Sequence, residues 1–93
     1  MRVHVTGTIT EASSREPIRS ANVTLWYGGG FGAGEGYRRT STDEFGEYTL
    51  KYRVDGCPLF GGLYLTARRD GYESRTSQVA CTTEKQRIDF ALD

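Results

Sequence analysis

The chain has 93 residues, of which 37% are hydrophobic and 26% charged, and its 12 basic and 12 acidic side chains cancel. That length makes one domain, residues 1–93, with a modest core, and the charge balance excludes the strongly basic surface that drives binding to nucleic acid or anionic membranes. No run approaches the roughly 18 apolar residues of a membrane-spanning helix, so no membrane insertion is expected.

Val3, Val5, Gly7 and Ile9 alternate with His4, Thr6, Thr8 and Thr10. This period of two predicts a first strand with its threonine face outward. His4, the only histidine, falls on the polar side and reads as a surface residue. A polar loop follows from Glu11 to Arg19, turned by Pro17, with Ile18 placed to plug the edge of the core. Ala21, Val23, Leu25 and Tyr27 then form the apolar face of a second strand, opposite Asn22, Thr24 and Trp26. An outward tryptophan packs beneath a loop or lies on a binding surface. Asn22-Val23-Thr24 also matches a glycosylation sequon, a weak signal in mid-strand.

Gly28 to Gly36 reads GGGFGAGEG. It has no Lys-Ser/Thr after a final glycine and no helix behind it, which excludes a phosphate-binding loop and a dinucleotide fingerprint. It is read as a long hairpin loop, or as a contact loop in which Trp26, Tyr27, Phe31 and Tyr37 gather as ligand or partner contacts. Tyr37 to Thr42 carries Arg38 and Arg39 and reads as an exposed edge strand.

Asp43-Glu44-Phe45-Gly46 precedes the alternating run Tyr48, Leu50, Tyr52. An Asp side chain can accept backbone N–H groups two residues on, and glycine accepts a positive φ. Asp43 and Gly46 are therefore assigned to turn structure, in a β-hairpin with a loop of three to five residues. A calcium loop would need more oxygen ligands at alternating positions, so no metal or cofactor is expected. Leu63, Leu65 and Ala67 face inward on a fifth strand, against Tyr64, Thr66 and Arg68. Asp70-Gly71-Tyr72 is a turn with Gly71 in the left-handed region and Tyr72 folding back on the core. Glu73 to Ala80 is a sixth, polar strand, and Ile88, Phe90 and Leu92 mark the last.

Seven strands and no helical pattern predict an all-β, seven-stranded antiparallel Greek-key β-sandwich. Val5, Ile9, Val23, Leu25, Tyr48, Leu50, Leu65, Ile88 and Phe90 are its expected core. Cys57 and Cys81 are the whole cysteine supply, too few for a structural zinc site and without the CxxC redox spacing. They are either two unrelated thiols or a disulfide. A disulfide would close a loop of about 25 residues, contribute roughly 3–4 kcal/mol, and imply an extracytoplasmic location. With Met1-Arg2 opening directly on a strand pattern, no leader is visible, and the chain ends one residue after its last strand. A domain cut from a longer precursor is the expectation.

The strand and turn motifs, taken in order, resemble carboxypeptidase regulatory-like domains. The opening is Val5-Thr6-Gly7-Thr8-Ile9-Thr10 with Glu16-Pro17-Ile18 and Ala21-Asn22-Val23-Thr24-Leu25. The central T-D-x-x-G-x-Y signature is Thr42-Asp43-Glu44-Phe45-Gly46-Glu47-Tyr48. Leu65-Thr66-Ala67 with Asp70-Gly71-Tyr72, then Asp89-Phe90-Ala91-Leu92, continue it to the end. The resemblance implies the transthyretin-like, prealbumin-type sandwich and a non-catalytic accessory role as spacer, folding support or protein-contact module beside other domains. The Gly28–Gly36 loop and the Arg53–Gly62 segment are longer than the pattern. Collagen-adhesin B-type repeats share the turn, but their isopeptide lysine on the first strand has no counterpart here, where only Lys51 and Lys85 exist.

Three functions compete at this point. The accessory domain, with a protein partner or neighbouring domain, is the first. A carbohydrate-binding module using the aromatics around the glycine-rich loop is the alternative. An enzyme is not expected: a nucleophile needs a base beside it, and neither G-x-S-x-G nor H-E-x-x-H is present. The transthyretin relatives that hydrolyse purine-derived ureides use several histidines and a C-terminal tetrapeptide, both missing from this sequence.

Overall fold

The computed structural model describes residues 2–28, 35–54 and 62–93, with backbone alone for residues 35–37. These residues form eight strands: β1 (Arg2–Glu11), β2 (Asn22–Gly28), β3 (Glu35–Ser41), β4 (Glu47–Arg53), β5 (Gly62–Arg68), β6 (Arg75–Val79), β7 (Lys85–Arg87) and β8 (Phe90–Leu92). Alternation without helical periodicity predicts strands, and they assemble into two sheets. In the first, β1 is central, with β4 on one side and β7 and β8 on the other. The second runs β3-β2-β5-β6.

The apolar positions of each strand meet between the sheets. Val3, Val5 and Ile9 of β1, Val23 and Leu25 of β2, Tyr48 and Leu50 of β4, and Leu63, Leu65 and Ala67 of β5 are buried, joined by Val79, Phe90 and Leu92. Full burial of each such aliphatic chain contributes about 1.5–3 kcal/mol at most. Ile18 and Ala21 close one end of this layer. Ile88, expected in the core, is only half-buried and packs against its margin.

Three expectations are corrected. The last strand is interrupted, which makes eight strands among the described residues where seven were expected. β1 pairs β7 through His4↔Lys85 to Thr6↔Arg87, and β8 through Ile9↔Phe90 to Glu11↔Leu92. Between them the Thr8 N–H turns to the Asp89 carboxylate at 2.8 Å instead of to a carbonyl. The reason lies at Gly7. A methyl there would sit 1.8 Å from the Ile88 carbonyl oxygen, which accepts the Tyr48 hydroxyl. Second, the sandwich is not wholly antiparallel, because β7 and β8 both run parallel to β1.

Third, Asp43–Gly46 is not a hairpin turn. β3 pairs β2 (Val23↔Thr40) while β4 pairs β1 (Val5↔Leu50), so the chain crosses from one sheet to the other at this corner. Stacked sheets lie about 10 Å apart, and Thr42 holds the crossing. Its side chain, 5% exposed, accepts from the Ala21 N–H at 2.9 Å and donates to the Ile18 carbonyl at 2.6 Å. Asp43 Oδ1 accepts from the Phe45 and Glu47 N–H groups, both at 2.9 Å. Gly46 stands at φ +73°, and its carbonyl accepts from the Ile9 N–H at 2.8 Å. Gly71 stands at φ +89°. Beyond it the Tyr72 hydroxyl donates to Glu11 Oε2 at 2.6 Å.

Thr42→Val keeps the shape but strands a buried N–H and C=O, and a loss of about 1–3 kcal/mol is expected. Gly7→Ala is expected to cost at least as much as ordinary overpacking, about 1–3 kcal/mol. Thr49→Val, on the exposed face of β4, serves as control and stays within about 0.5 kcal/mol. Urea denaturation of the three variants checks this; equal midpoints would refute the corner and close-approach accounts.

Candidate functional site

Pleating sends alternate residues of β2 and β5 to the outer face of the second sheet, and the register sets them side by side. Trp26 lies opposite Tyr64, Thr24 opposite Thr66, and Asn22 opposite Arg68. From β3, Arg39 joins Thr24 and Ser41 joins Asn22. From β6, Thr76 joins Thr66. The face thus has an aromatic row, a hydroxyl row ending in Arg39, and a polar row ending in Arg68.

The aromatic row is ordered by its own contacts. The Trp26 and Tyr64 rings stack with centroids 4.9 Å apart and planes at 27°. The Trp26 indole N–H donates to Thr66 Oγ1 at 2.8 Å, and Thr66 and Thr76 share a hydrogen bond of 2.8 Å. The indole is therefore half-buried, its edge held and its orientation set. Beside it an open groove of about 490 Å³ is lined by Asn22, Thr24, Trp26, Arg39, Thr66, Arg68, Ser74 and Thr76. No carboxylate lines it among the described residues. Arg39 and Arg68 are exposed and, among the described residues, form no ion pair; the pairs found are Arg75–Asp93 and Arg87–Asp89.

Two members of the expected aromatic cluster, Trp26 and Tyr27, lie on opposite faces of β2. Trp26 lines the groove, but Tyr27, the next residue on β2, projects to the opposite face beside buried Leu63 and is half-buried there. Adjacent strand residues cannot share a face. Phe31 lies outside the described residues, as does the side chain of Tyr37. The partner that Trp26 does meet, Tyr64, was legible as an outward residue of the fifth strand, and only the β2–β5 register brings the two together. Asp43, Gly46 and Gly71 sit in turns, with Asp43 Oδ1 occupied by two backbone N–H groups. Cys57 lies outside the described residues; Cys81 is half-buried against the core, and none of the described cysteines is free. Among the described residues no three His, Cys, Asp or Glu side chains gather closely enough to hold a metal ion, and no helix is long and apolar enough to cross a membrane.

The first sheet presents different electrostatics. His4 lies between Lys51 on β4 and Lys85 on β7. Partial desolvation, then the two lysine charges, hold its pKa below the ordinary 6.5. At the far end of β1, hydrogen bonds from Tyr72, Ser13 and Ser14 hold the Glu11 carboxyl below its ordinary 4.5.

No protein-family model and no curated protein sequence matches the chain. Solved structures do share its fold. A 9R-lipoxygenase from Cyanothece PCC8801 superposes with a TM-score of 0.66 at 13% identity, over 96% of this chain and 16% of the lipoxygenase. The Bacillus anthracis TIE protein gives 0.64 at 15% identity, over 99% of this chain and 17% of that one. The dioxygenase domain of a dioxygenase carbohydrate-binding protein fusion from Streptomyces sp. SirexAA-E gives 0.65 at 18%, over 99% and 79%. The chain thus spans about a sixth of the first two structures. Identities this low establish a shared fold alone.

Two acid transitions are expected to separate. The folded His4 binds its proton less readily than the unfolded chain does, so its stability contribution is whole above pH 6.5 and declines as pH falls below that value. The Glu11 contribution is present above pH 4.5 and is lost as pH falls further, through its lowered folded pKa. Melting temperature against pH, compared between wild type and His4→Gln, should lose the first decline in the variant and keep the second. An unchanged first decline would show that His4 does not cause it.

Proposed function

We propose that this chain is a carboxypeptidase regulatory-like domain, a transthyretin-like Greek-key sandwich that serves as a non-catalytic accessory module of a larger extracytoplasmic protein. The single observation that carries the reading is the outer face of the β3-β2-β5-β6 sheet. It combines an oriented aromatic pair, hydroxyls and two guanidiniums that form no ion pair among the described residues in one open groove, which is the chemistry of contact. The only histidine of the chain, His4, belongs to the other sheet, so a histidine-assisted nucleophile has no support in this groove. The strand order supports the finer fold: counting β7 and β8 as one interrupted strand returns seven. The sandwich's recurrence as about a sixth of two larger chains supports a modular role.

A pairing of Cys57 with Cys81 is part of the proposal and places the domain in an oxidising compartment. Carbohydrate recognition is the second reading, favoured by the stacked Trp26 and Tyr64 on an otherwise hydroxyl-rich sheet face. Amphipathic rings present an apolar face to a sugar and keep a polar edge for hydrogen bonds. In either case a protein, neighbouring domain or glycan meets the same face.

Deleting residues 1–93 from the parent protein is expected to leave a neighbouring enzyme's kcat unchanged and to reduce its yield or its retention on its target. A parent that consists of this domain alone, or a neighbour that loses kcat, would refute the accessory role. Thiol titration of the unreduced, denatured chain should find no free thiol, and reduction should cost roughly 3–4 kcal/mol of stability. Two titratable thiols would refute the disulfide and the localisation built on it.

A further inference from the structure

Resting on the carbohydrate reading of the groove, we infer that its ligand is an acidic saccharide, a uronate-bearing chain whose carboxylates meet Arg39 and Arg68. The placement of the three rows carries this. Two residues along a strand advance about 6.7 Å, and neighbouring strands stand about 4.8 Å apart. Arg39 is therefore one row from the Trp26–Tyr64 stack, and Arg68 one row further, on the opposite side of β2. A pyranose lying with its C–H face on the indole directs substituents of the same ring, and of the next, toward these rows.

The charge is uncompensated among the described residues. Among them Arg39 and Arg68 have no carboxylate partner and no acidic side chain lines the groove. In a chain whose net charge is zero, this is a local positive field facing a stacking platform. A guanidinium offers a planar fork of N–H donors that matches a carboxylate in two parallel hydrogen bonds. A neutral sugar would satisfy the threonines and leave both forks to water. Single-stranded nucleic acid also combines stacking with negative charge, but it needs a basic track along its backbone. Two arginines in a neutral chain do not provide one.

The test is an NMR and calorimetric titration of the 93-residue chain with a short oligogalacturonide, a neutral cello-oligosaccharide of equal length and a short oligothymidylate. The oligogalacturonide is expected to bind most tightly and to shift amides of Trp26, Thr66 and Arg68. Raising salt to about 1 M, where the screening length falls to about 3 Å, should weaken it severalfold. Arg39→Gln with Arg68→Gln, at exposed positions, should weaken it at least about tenfold at an unchanged melting temperature, as lost charge-assisted pairs do. Trp26→Ala should weaken both saccharides. Equal, salt-insensitive binding of both saccharides would overturn the acidic preference and keep the carbohydrate reading. Failure of both to bind would overturn the two together, and tighter binding of the oligothymidylate would overturn the choice of ligand class.

Discussion

The crossing between the sheets depends on one buried hydroxyl. Thr42 is buried at 5% exposure, and its hydroxyl both accepts from Ala21 and donates to Ile18. Those two residues lie in the loop that precedes β2, while Thr42 directly follows β3. The hydroxyl thus ties the entrance of one sheet edge to its exit. The neighbouring backbone repeats the tie, with Thr42 N–H on the Ala21 carbonyl and Ser20 N–H on the Thr42 carbonyl. Asp43 then closes the turn with its own carboxylate, and Gly46 delivers the chain to Ile9 of β1. Polar groups in a dry corner are costly unless paired, so the corner has one arrangement and the sheets one relation.

Given that relation, β1 becomes the spine of the first sheet. It is ten residues long and pairs on both edges. Its partner on one side changes from β7 to β8 at Gly7, where the missing side chain admits the Ile88 carbonyl and the Tyr48 hydroxyl. Burial and the nearby Asp89 charge push the Tyr48 pKa up, then offset in part by Arg87. The phenol accordingly stays a neutral donor, which the carbonyl requires.

The second sheet is free of this constraint on its outer face. Its inner residues are committed to the core, so aromatic, hydroxyl and guanidinium groups collect on the other side, at alternate positions of four strands. The groove is built from residues as distant in sequence as Asn22 and Thr76, and it is rigid because β2 and β5 pair without interruption from Asn22↔Arg68 to Gly28↔Gly62. A surface on a continuous ladder presents side chains with less conformational freedom than a loop does. That is why this platform bears the functional reading.

Alternation in the sequence determined which face each residue of β1, β2, β4 and β5 occupies, because a pleated strand has a side-chain period of two whatever it pairs with. It placed Val5, Leu25, Leu50 and Leu65 inside and Trp26, Tyr64, Thr66 and Arg68 outside. Local turn chemistry at Asp43, Gly46 and Gly71 was legible for the same reason: it involves atoms within four residues. Strand partners were not legible, since the period is the same for a hairpin and for a corner between sheets. Only the tertiary structure decided that β3 and β4 part company at Thr42, that the last strand breaks at Ile88, and that Trp26 stacks on a tyrosine 38 residues away. Each is a contact between segments that no local pattern links, settled by packing of the whole chain around one buried layer.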